Sequence, residues 1–275
     1  MGKLEGKVAF ITGAARGQGR SHAVRLAQEG ADIVAIDICR QINSVAYPMA
    51  TPDDLTETVK QVEALGRRIY VEQTDVRDLA ALRSAVAAGT AEIGPIDIVI
   101  ANAGIATMNP SMASADDERA FLDVVEVNLI GVWHTVHATA GAMVERGHGG
   151  AIVLTSSTQG LSGRGGDGSG SSTGYAAAKH GVVGIMRSFA SWLSPHMIRV
   201  NSVHPTGVRT PMVDNEITAA WVASTPNAAS RAANLMPIPW LEPTDVSSAV
   251  VWLVSDDARY VTGVALPIDA GFTIM

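Results

Sequence analysis

Thr12-Gly13-Ala14-Ala15-Arg16-Gly17-Gln18-Gly19 is the stretch on which the reading of this chain turns. Before it stands Val8-Ala9-Phe10-Ile11-Thr12, a β-branched, apolar run with the length of a buried strand. After it, residues 17–29 carry a helical pattern. Glycine in such a junction allows a tight turn, lets the backbone approach a pyrophosphate, and permits close helix–strand packing. The helix N-terminus adds unpaired N–H groups and the positive end of a dipole. Gly13, Arg16, Gly17, Gln18 and Gly19 are therefore candidate cradle residues for a dinucleotide.

Working outward, short β-branched runs alternate with longer helical patterns to the end of the chain. Strands are expected at Asp32–Asp37, 68–73, 97–101, 151–155, 199–203 and 263–268. Helices are expected at 53–65, Leu79–Glu92, 116–145 as one long element, 175–193 and 245–255. Strands that alternate with helices pair in parallel through right-handed crossovers. The expectation is an α/β fold: a Rossmann-type, doubly wound sheet of seven parallel strands with helices on both faces, forming a single domain over 1–275. Three segments break the rhythm. Residues 39–51 make a long connection after the second strand, and 160–174 is rich in Gly and Ser, with an insertion at 163–172 expected to be mobile. Residues 211–240 combine prolines with Met212, Val213, Ile217, Trp221, Leu235, Met236, Ile238 and Trp240, and read as an apolar lid.

Composition narrows the partners. A formal charge of −7 argues against a nucleic acid, which selects for clustered Lys and Arg. Cys39 is the only cysteine, so an intrachain disulfide or a Cys-rich metal site is excluded. His134 and His137 lie three apart on a helix without a third ligand at a persuasive spacing, so no metal is expected. No apolar run approaches the ~18 residues that cross a bilayer. The start lacks a secretory apolar region, and the expected compartment is the cytoplasm.

Asp37 ends the second strand about twenty residues past the glycines, where a carboxylate accepts hydrogen bonds from a ribose diol. It would repel a 2′-phosphate, so NAD is favoured over NADP, although Arg16 or Arg40 could pair such a phosphate. Asp75-Val76 ends the third strand, where it either contacts adenine or simply caps the strand end, and Asn102-Ala103-Gly104 ends the fourth without a large side chain where a ribose would lie.

Tyr175-Ala176-Ala177-Ala178-Lys179 sets a phenol and an ammonium one helical turn apart on one face, after a strand ending in Thr155-Ser156-Ser157. Hydride leaves a carbinol carbon only as the hydroxyl proton is removed. A phenol, with a pKa near ~10, is a poor base at neutral pH. A nearby ammonium and an oxidised nicotinamide favour phenolate, and a lowering of about three units needs roughly 4 kcal/mol. Lys179 can also hold the nicotinamide ribose. A serine of the Ser156-Ser157 pair can hold the substrate oxygen, and the polar end of Asn128 can complete a proton relay.

Together these residues resemble the short-chain dehydrogenase/reductase family over essentially the whole chain. The resemblance implies a catalytic tetrad of Asn128, Ser157, Tyr175 and Lys179, with Tyr175 as acid/base, and prefers Ser157 because the family's serine is usually the second of such a pair. It implies that Pro205, Val208 and Thr210 contact the nicotinamide side. It also implies a homotetramer built on the helices carrying Asn128 and Tyr175 and on the C-terminal strand. Two departures stand out: the interval from Ser157 to Tyr175 is lengthened by 163–172, and Pro205-Thr206-Gly207 stands where the family usually reads Pro-Gly. A narrower resemblance rests on Ala15-Arg16-Gly17-Gln18-Gly19-Arg20-Ser21-His22, on the insertion from Asp37-Ile38-Cys39 through Tyr47-Pro48 to Asp53-Asp54-Leu55, and on His204-Pro205-Thr206-Gly207. It points to the mycofactocin-coupled subgroup, which includes enzymes called carveol dehydrogenases. This implies a tightly held NAD recycled by a separate redox carrier, with the 39–51 insertion over the adenosine half. The apolar lid suggests a hydrophobic, terpene-like secondary alcohol or its ketone. A 3-ketoacyl-carrier-protein reductase would need a basic docking patch and normally NADPH, which Asp37 and the acidic balance disfavour. A non-catalytic NAD sensor would be free to lose Tyr175 or Lys179, and both are present.

Overall fold

A computed structural model of the chain describes residues 2–107, 116–164, 166–224 and 233–274. Seven strands form one sheet in the order β3-β2-β1-β4-β5-β6-β7, and every pair is parallel. They are β1 (Val8–Thr12), β2 (Asp32–Asp37), β3 (Ile69–Gln73), β4 (Ile98–Ala101), β5 (Gly150–Thr155), β6 (Ile198–Pro205) and β7 (Ala265–Ile268). The Rossmann-type sheet expected from the sequence is the one observed. The order reverses between β1 and β4, and the crevice outside the carboxyl ends there is where such sheets take ligands.

The period of two along β1 explains how the sheet is covered on both faces. Val8 and Phe10 join one apolar cluster, while Ala9 and Ile11 join the other. The first cluster packs α3 (Leu79–Glu92), α5 (Gly131–Arg146) and α6 (Gly170–Leu193) on the sheet. The second packs α1 (Gly17–Gln28), α2 (Pro52–Glu63) and α8 (Pro243–Val254). Helix starts are specified locally. The Thr51 hydroxyl accepts from Asp54 N while the Asp54 side chain accepts from Thr51 N, a reciprocal cap ahead of α2.

Three expectations are corrected. The segment at 116–145 is not one regular helix: α4 (Asp116–Val125) passes into a π-helical turn at Glu126–Ile130 before α5. That turn carries Asn128, and such turns interrupt helices most often at functional sites. The Gly/Ser-rich stretch is not all loop, because α6 already begins at Gly170, with Ser169 accepting from Ser172 N. Gly165 lies outside the described residues. Strand β6 runs on through His204, which the sequence pattern had left in a loop. In the expected lid, α7 (Glu216–Ser224) is helical, while 225–232 and the Trp221 side chain lie outside the described residues.

Candidate active site

One cavity of about 460 Å³ runs along the carboxyl ends of the strands, from the glycine turn to Tyr175. Gly13 has a φ of +68°, and a Cβ on it would stand 2.8 Å from Ala103 Cα. A Cβ on Gly19 would stand 2.0 Å from Gly13 O. Both positions exclude a side chain, so the turn stays low and leaves backbone facing the cavity. Arg16 precedes α1 without a side-chain cap, so the first-turn N–H groups have no side-chain acceptor. The Gln18 side-chain oxygen is buried with no hydrogen-bond partner among the described residues. Asn102 braces the turn: its Nδ2 donates to Thr12 O at 3.0 Å, and the N–H groups of Asn102 and Ala103 donate to Thr12 Oγ1. An uncapped helix start over a low glycine turn fits the pyrophosphate of a dinucleotide.

Asp37 lies at the cavity edge, buried, with Oδ2 accepting from Ala15 N at 3.0 Å and Oδ1 from Cys39 N at 3.1 Å. Burial pushes its carboxyl above the usual carboxylate range, against these N–H donors and Arg16. The two arginines that could have paired a 2′-phosphate are engaged elsewhere: Arg16 donates to Pro48 O at 2.6 Å and Arg40 to Asp75 at 3.0 Å. Asp75 is less free to meet adenine than the sequence suggested. Arg77 grips both of its oxygens, with distances from 2.7 to 3.1 Å. Val76 and Gly104 line the same cavity.

At the far end, the serine pair is divided by hydrogen bonding. Ser156 Oγ donates to Lys179 O at 2.8 Å, tying β5 to α6. Ser157 Oγ accepts from Gln159 N at 3.2 Å and lines the cavity together with Tyr175. Lys179 is buried, donates from Nζ to Thr155 O at 2.8 Å, and sits 5.6 Å from the centre of the Tyr175 ring. Burial brings the Lys179 ammonium down to about 8. The protein's own groups do not depress Tyr175 as the sequence reading expected: burial pushes its phenol up, and Ser157 opposes that push. Asn128 is placed differently from the expected relay. Its side-chain Oδ1 accepts from Ile105 N at 2.8 Å and its Nδ2 donates to Ile105 O at 2.8 Å, so the amide braces the β4–α4 loop. The segment after β6 closes another wall of the cavity. Pro205, Val208 and Thr210 line the cavity, Val208 bridges to Leu241, and Thr210 Cγ2 lies 3.3 Å from where a Gly17 Cβ would stand.

The sequence reading missed Tyr47. The 39–51 insertion is an ordered strap whose Ile42, Val45 and Tyr47 enter the main core. Ile42, Tyr47 and Met49 also line the cavity, and Tyr47 Oη accepts from Ala106 N at 3.4 Å. Ser44 Oγ donates to the buried Asp123 at 2.6 Å, so the strap is anchored on α4 as well as on Arg16. The only signal available was an aromatic residue inside an otherwise long loop. On the opposite wall, Arg164 stacks 4.6 Å from the Phe272 ring, joining the second insertion to the C-terminal segment. Met212, Val213 and Trp240 line the cavity beside them. Of the two helix histidines, His134 hydrogen-bonds Val76 O at 2.9 Å and His137 stacks on Trp133 at 4.6 Å.

Known proteins resemble this chain over its length. A family model described as short chain dehydrogenase matches residues 7–220. An uncharacterized oxidoreductase of Mycobacterium tuberculosis is 56% identical over 98% of this chain and 97% of its own. The (-)-trans-carveol dehydrogenase of Rhodococcus erythropolis is 47% identical over 100% of both chains. The crystal structure of carveol dehydrogenase from Mycobacterium avium in complex with NAD is 49% identical, covers 100% of both chains, and superposes with a TM-score of 0.92.

Proposed function

We propose that this chain, which belongs to the short-chain dehydrogenase/reductase family, interconverts a hydrophobic, carveol-like secondary alcohol and its ketone with NAD, using Tyr175 as acid/base. The observation that carries the proposal is the meeting of Ser157, Tyr175 and Lys179 at the end of a cleft that begins at the glycine turn, with Lys179 Nζ 5.6 Å from the centre of the phenol ring. In oxidation, Tyr175 Oη takes the alcohol proton and Ser157 Oγ holds the same substrate oxygen. Lys179, anchored on Thr155 O, keeps a positive charge beside the phenol. Bound NAD supplies the hydride acceptor and a second positive charge. Gly13, Gly17, Gly19 and the start of α1 hold the pyrophosphate. Asp37 holds the adenosine ribose, Asn102-Ala103-Gly104 flank the other ribose, and Thr210 meets the carboxamide. The polar contacts are few, and Met212, Val213 and Trp240 give the substrate end an apolar wall.

The strap supports a finer reading. Pinned on Arg16, Asp123 and Ala106, it closes one side of the cleft and favours a captive NAD, recycled in place by a separate carrier such as mycofactocin. The same reading places the protein in the cytoplasm as a homotetramer, and no helix among the described residues is long and apolar enough to cross a membrane. The test is carveol oxidation by purified protein with added NAD, compared with oxidation using an electron-accepting dye. Turnover with the dye alone supports a captive cofactor. Rapid NADH release removes the carrier and leaves an exchanging dehydrogenase, and silence with both sinks the carveol-like substrate.

A further inference from the structure

We infer that His204 is a positioning residue for the reaction, acting through the backbone of Ser157 to fix that serine's hydroxyl at the Tyr175 end of the cleft. The inference rests on the acid/base reading of Tyr175 given above and adds a residue to it. Pairing between β5 and β6 runs to Thr155 opposite Val203, and Ser156 N still donates to Val203 O at 2.9 Å. Beyond that point the chain turns into the short 3₁₀ segment Thr158–Gly160, and Ser157 leaves the ladder. Its carbonyl must find other partners. One is Gly160 N at 2.9 Å, inside the turn itself, which moves with the turn. The other is His204 Nδ1, also at 2.9 Å, which ties the carbonyl to the sheet.

The ring's tautomer follows from its partners. A carbonyl only accepts, so Nδ1 carries the hydrogen, and in a neutral ring Nε2 is then an acceptor. The Ser202 hydroxyl lies 2.8 Å from Nε2 and donates to it. Both Ser202 and His204 are fully buried, so neither ring nitrogen has water as an alternative. The ionisable groups facing the ring are Lys179 and His180 on α6. Burial, aided by these neighbours and opposed by the Ser157 carbonyl, holds His204 below its ordinary range and keeps it neutral. The consequence reaches the phenol. Ser157 is the group that draws the Tyr175 phenol down against burial, with Tyr47 facing it from the strap and Lys179 from its own helix. A serine that drifts from the phenol releases Tyr175 to titrate higher.

The test is the ionisation of Tyr175 in the NAD-loaded protein, read as tyrosinate absorbance. The chain has 4 tyrosines, and subtraction of the Tyr175→Phe titration isolates the one of interest. In His204→Ala, Tyr175 is expected to ionise about one unit higher, and carveol turnover to fall about tenfold or more. His204→Asn places an amide N–H near the Nδ1 position and should restore most of both. Ser202→Ala, which removes only the donor to Nε2, should shift Tyr175 in the same direction by less, and it serves if the alanine variant at 204 fails to fold. A His204→Ala protein that melts earlier while Tyr175 titrates as in the wild type would overturn the inference, leaving His204 as packing. Full turnover in Tyr175→Phe would overturn the acid/base reading and the inference with it.

Discussion

Asn128 holds both backbone groups of Ile105, accepting its N–H and donating to its C=O, each at 2.8 Å. The π-helical turn at Glu126–Ile130 carries this amide toward the end of β4, where Gly104 separates it from Lys179: a Cβ on Gly104 would stand 3.3 Å from Asn128 Oδ1 and 3.6 Å from Lys179 Nζ. Asn128→Ala would strand a buried N–H and a buried C=O, at about 1–3 kcal/mol each. The expected loss is about 2–6 kcal/mol of unfolding free energy, together with a fall in turnover as the loop loosens. Urea denaturation checks the first and steady-state kinetics the second. An alanine variant as stable as the wild type would mean that the loop is held elsewhere.

Tyr175→Phe removes the hydroxyl and nothing else from the end of the cavity. Turnover is expected to fall by about 10²–10⁴-fold, the range that a positioned acid/base supplies. NAD affinity, read by calorimetry or by retention on desalting, should stay near the wild-type value, because the cradle at Gly13–Gly19 lies at the other end of the cleft. Retained turnover would move the proton chemistry to another group.

The sheet and the glycine turn were legible because their signals are local. A β-branched run ending in Thr12, then glycines, then a helical pattern leaves little choice, and the same alternation marks every later strand. The site was legible in part for the same reason, since Tyr175 and Lys179 are set by helical spacing. What escaped reading depends on contacts across the fold. A π-helical turn has no composition of its own, so 116–145 read as one helix. His204 is neither β-branched nor apolar, and with Pro205 after it the pattern ended β6 two residues early. Ser156 and Ser157 are chemically identical in the sequence, and the physical difference between them is that Ser156 donates to Lys179 O while Ser157 acts on the Tyr175 phenol. Asp75 is consumed by Arg77, and Tyr47 packs on a loop far away in sequence.

On the proposed reading, Asp37 sets the choice between NAD and NADP by placing a carboxylate at the ribose edge. Asp37→Ser keeps a small acceptor for Ala15 N and removes the charge. The preference for NAD, taken as the ratio of kcat/KM for the two cofactors, is expected to fall by about 10- to 100-fold, the worth of one charged hydrogen-bond pair. The check is that ratio measured at fixed ionic strength. An unchanged ratio would show that another residue excludes the 2′-phosphate.

Ser44 offers a way to loosen the strap without touching the cavity. Its hydroxyl donates to Asp123 at 2.6 Å, while Arg119 and Arg77 continue to pair that carboxylate in its absence. A hydrogen bond to a charged group is worth about 1.5–3 kcal/mol. Ser44→Ala should therefore speed NAD release by about tenfold or more, while turnover at saturating cofactor stays the same. Stopped-flow displacement of bound NAD gives the rate directly. Equal release rates would show that the strap lines the cleft without retaining its contents.

His22 governs acid stability at the face away from the chemistry. It is fully buried between α1 and α8, with Nδ1 2.8 Å from Ser247 Oγ and, among the described residues, no hydrogen-bond partner on Nε2. Burial brings the imidazole from 6.5 down to about 4. The unfolded chain binds a proton at His22 below 6.5, and the folded chain resists doing so until about 4. Stability from this group is thus present above pH 6.5 and is lost as pH falls toward 4, by up to ~3 kcal/mol in all. His22→Leu removes that titration. Its unfolding free energy should decline less steeply than the wild type's across the same window, even if the lost contact with Ser247 makes it less stable at neutral pH. Chemical denaturation at a series of pH values compares the slopes. Parallel slopes would assign the acid sensitivity of this face to other groups.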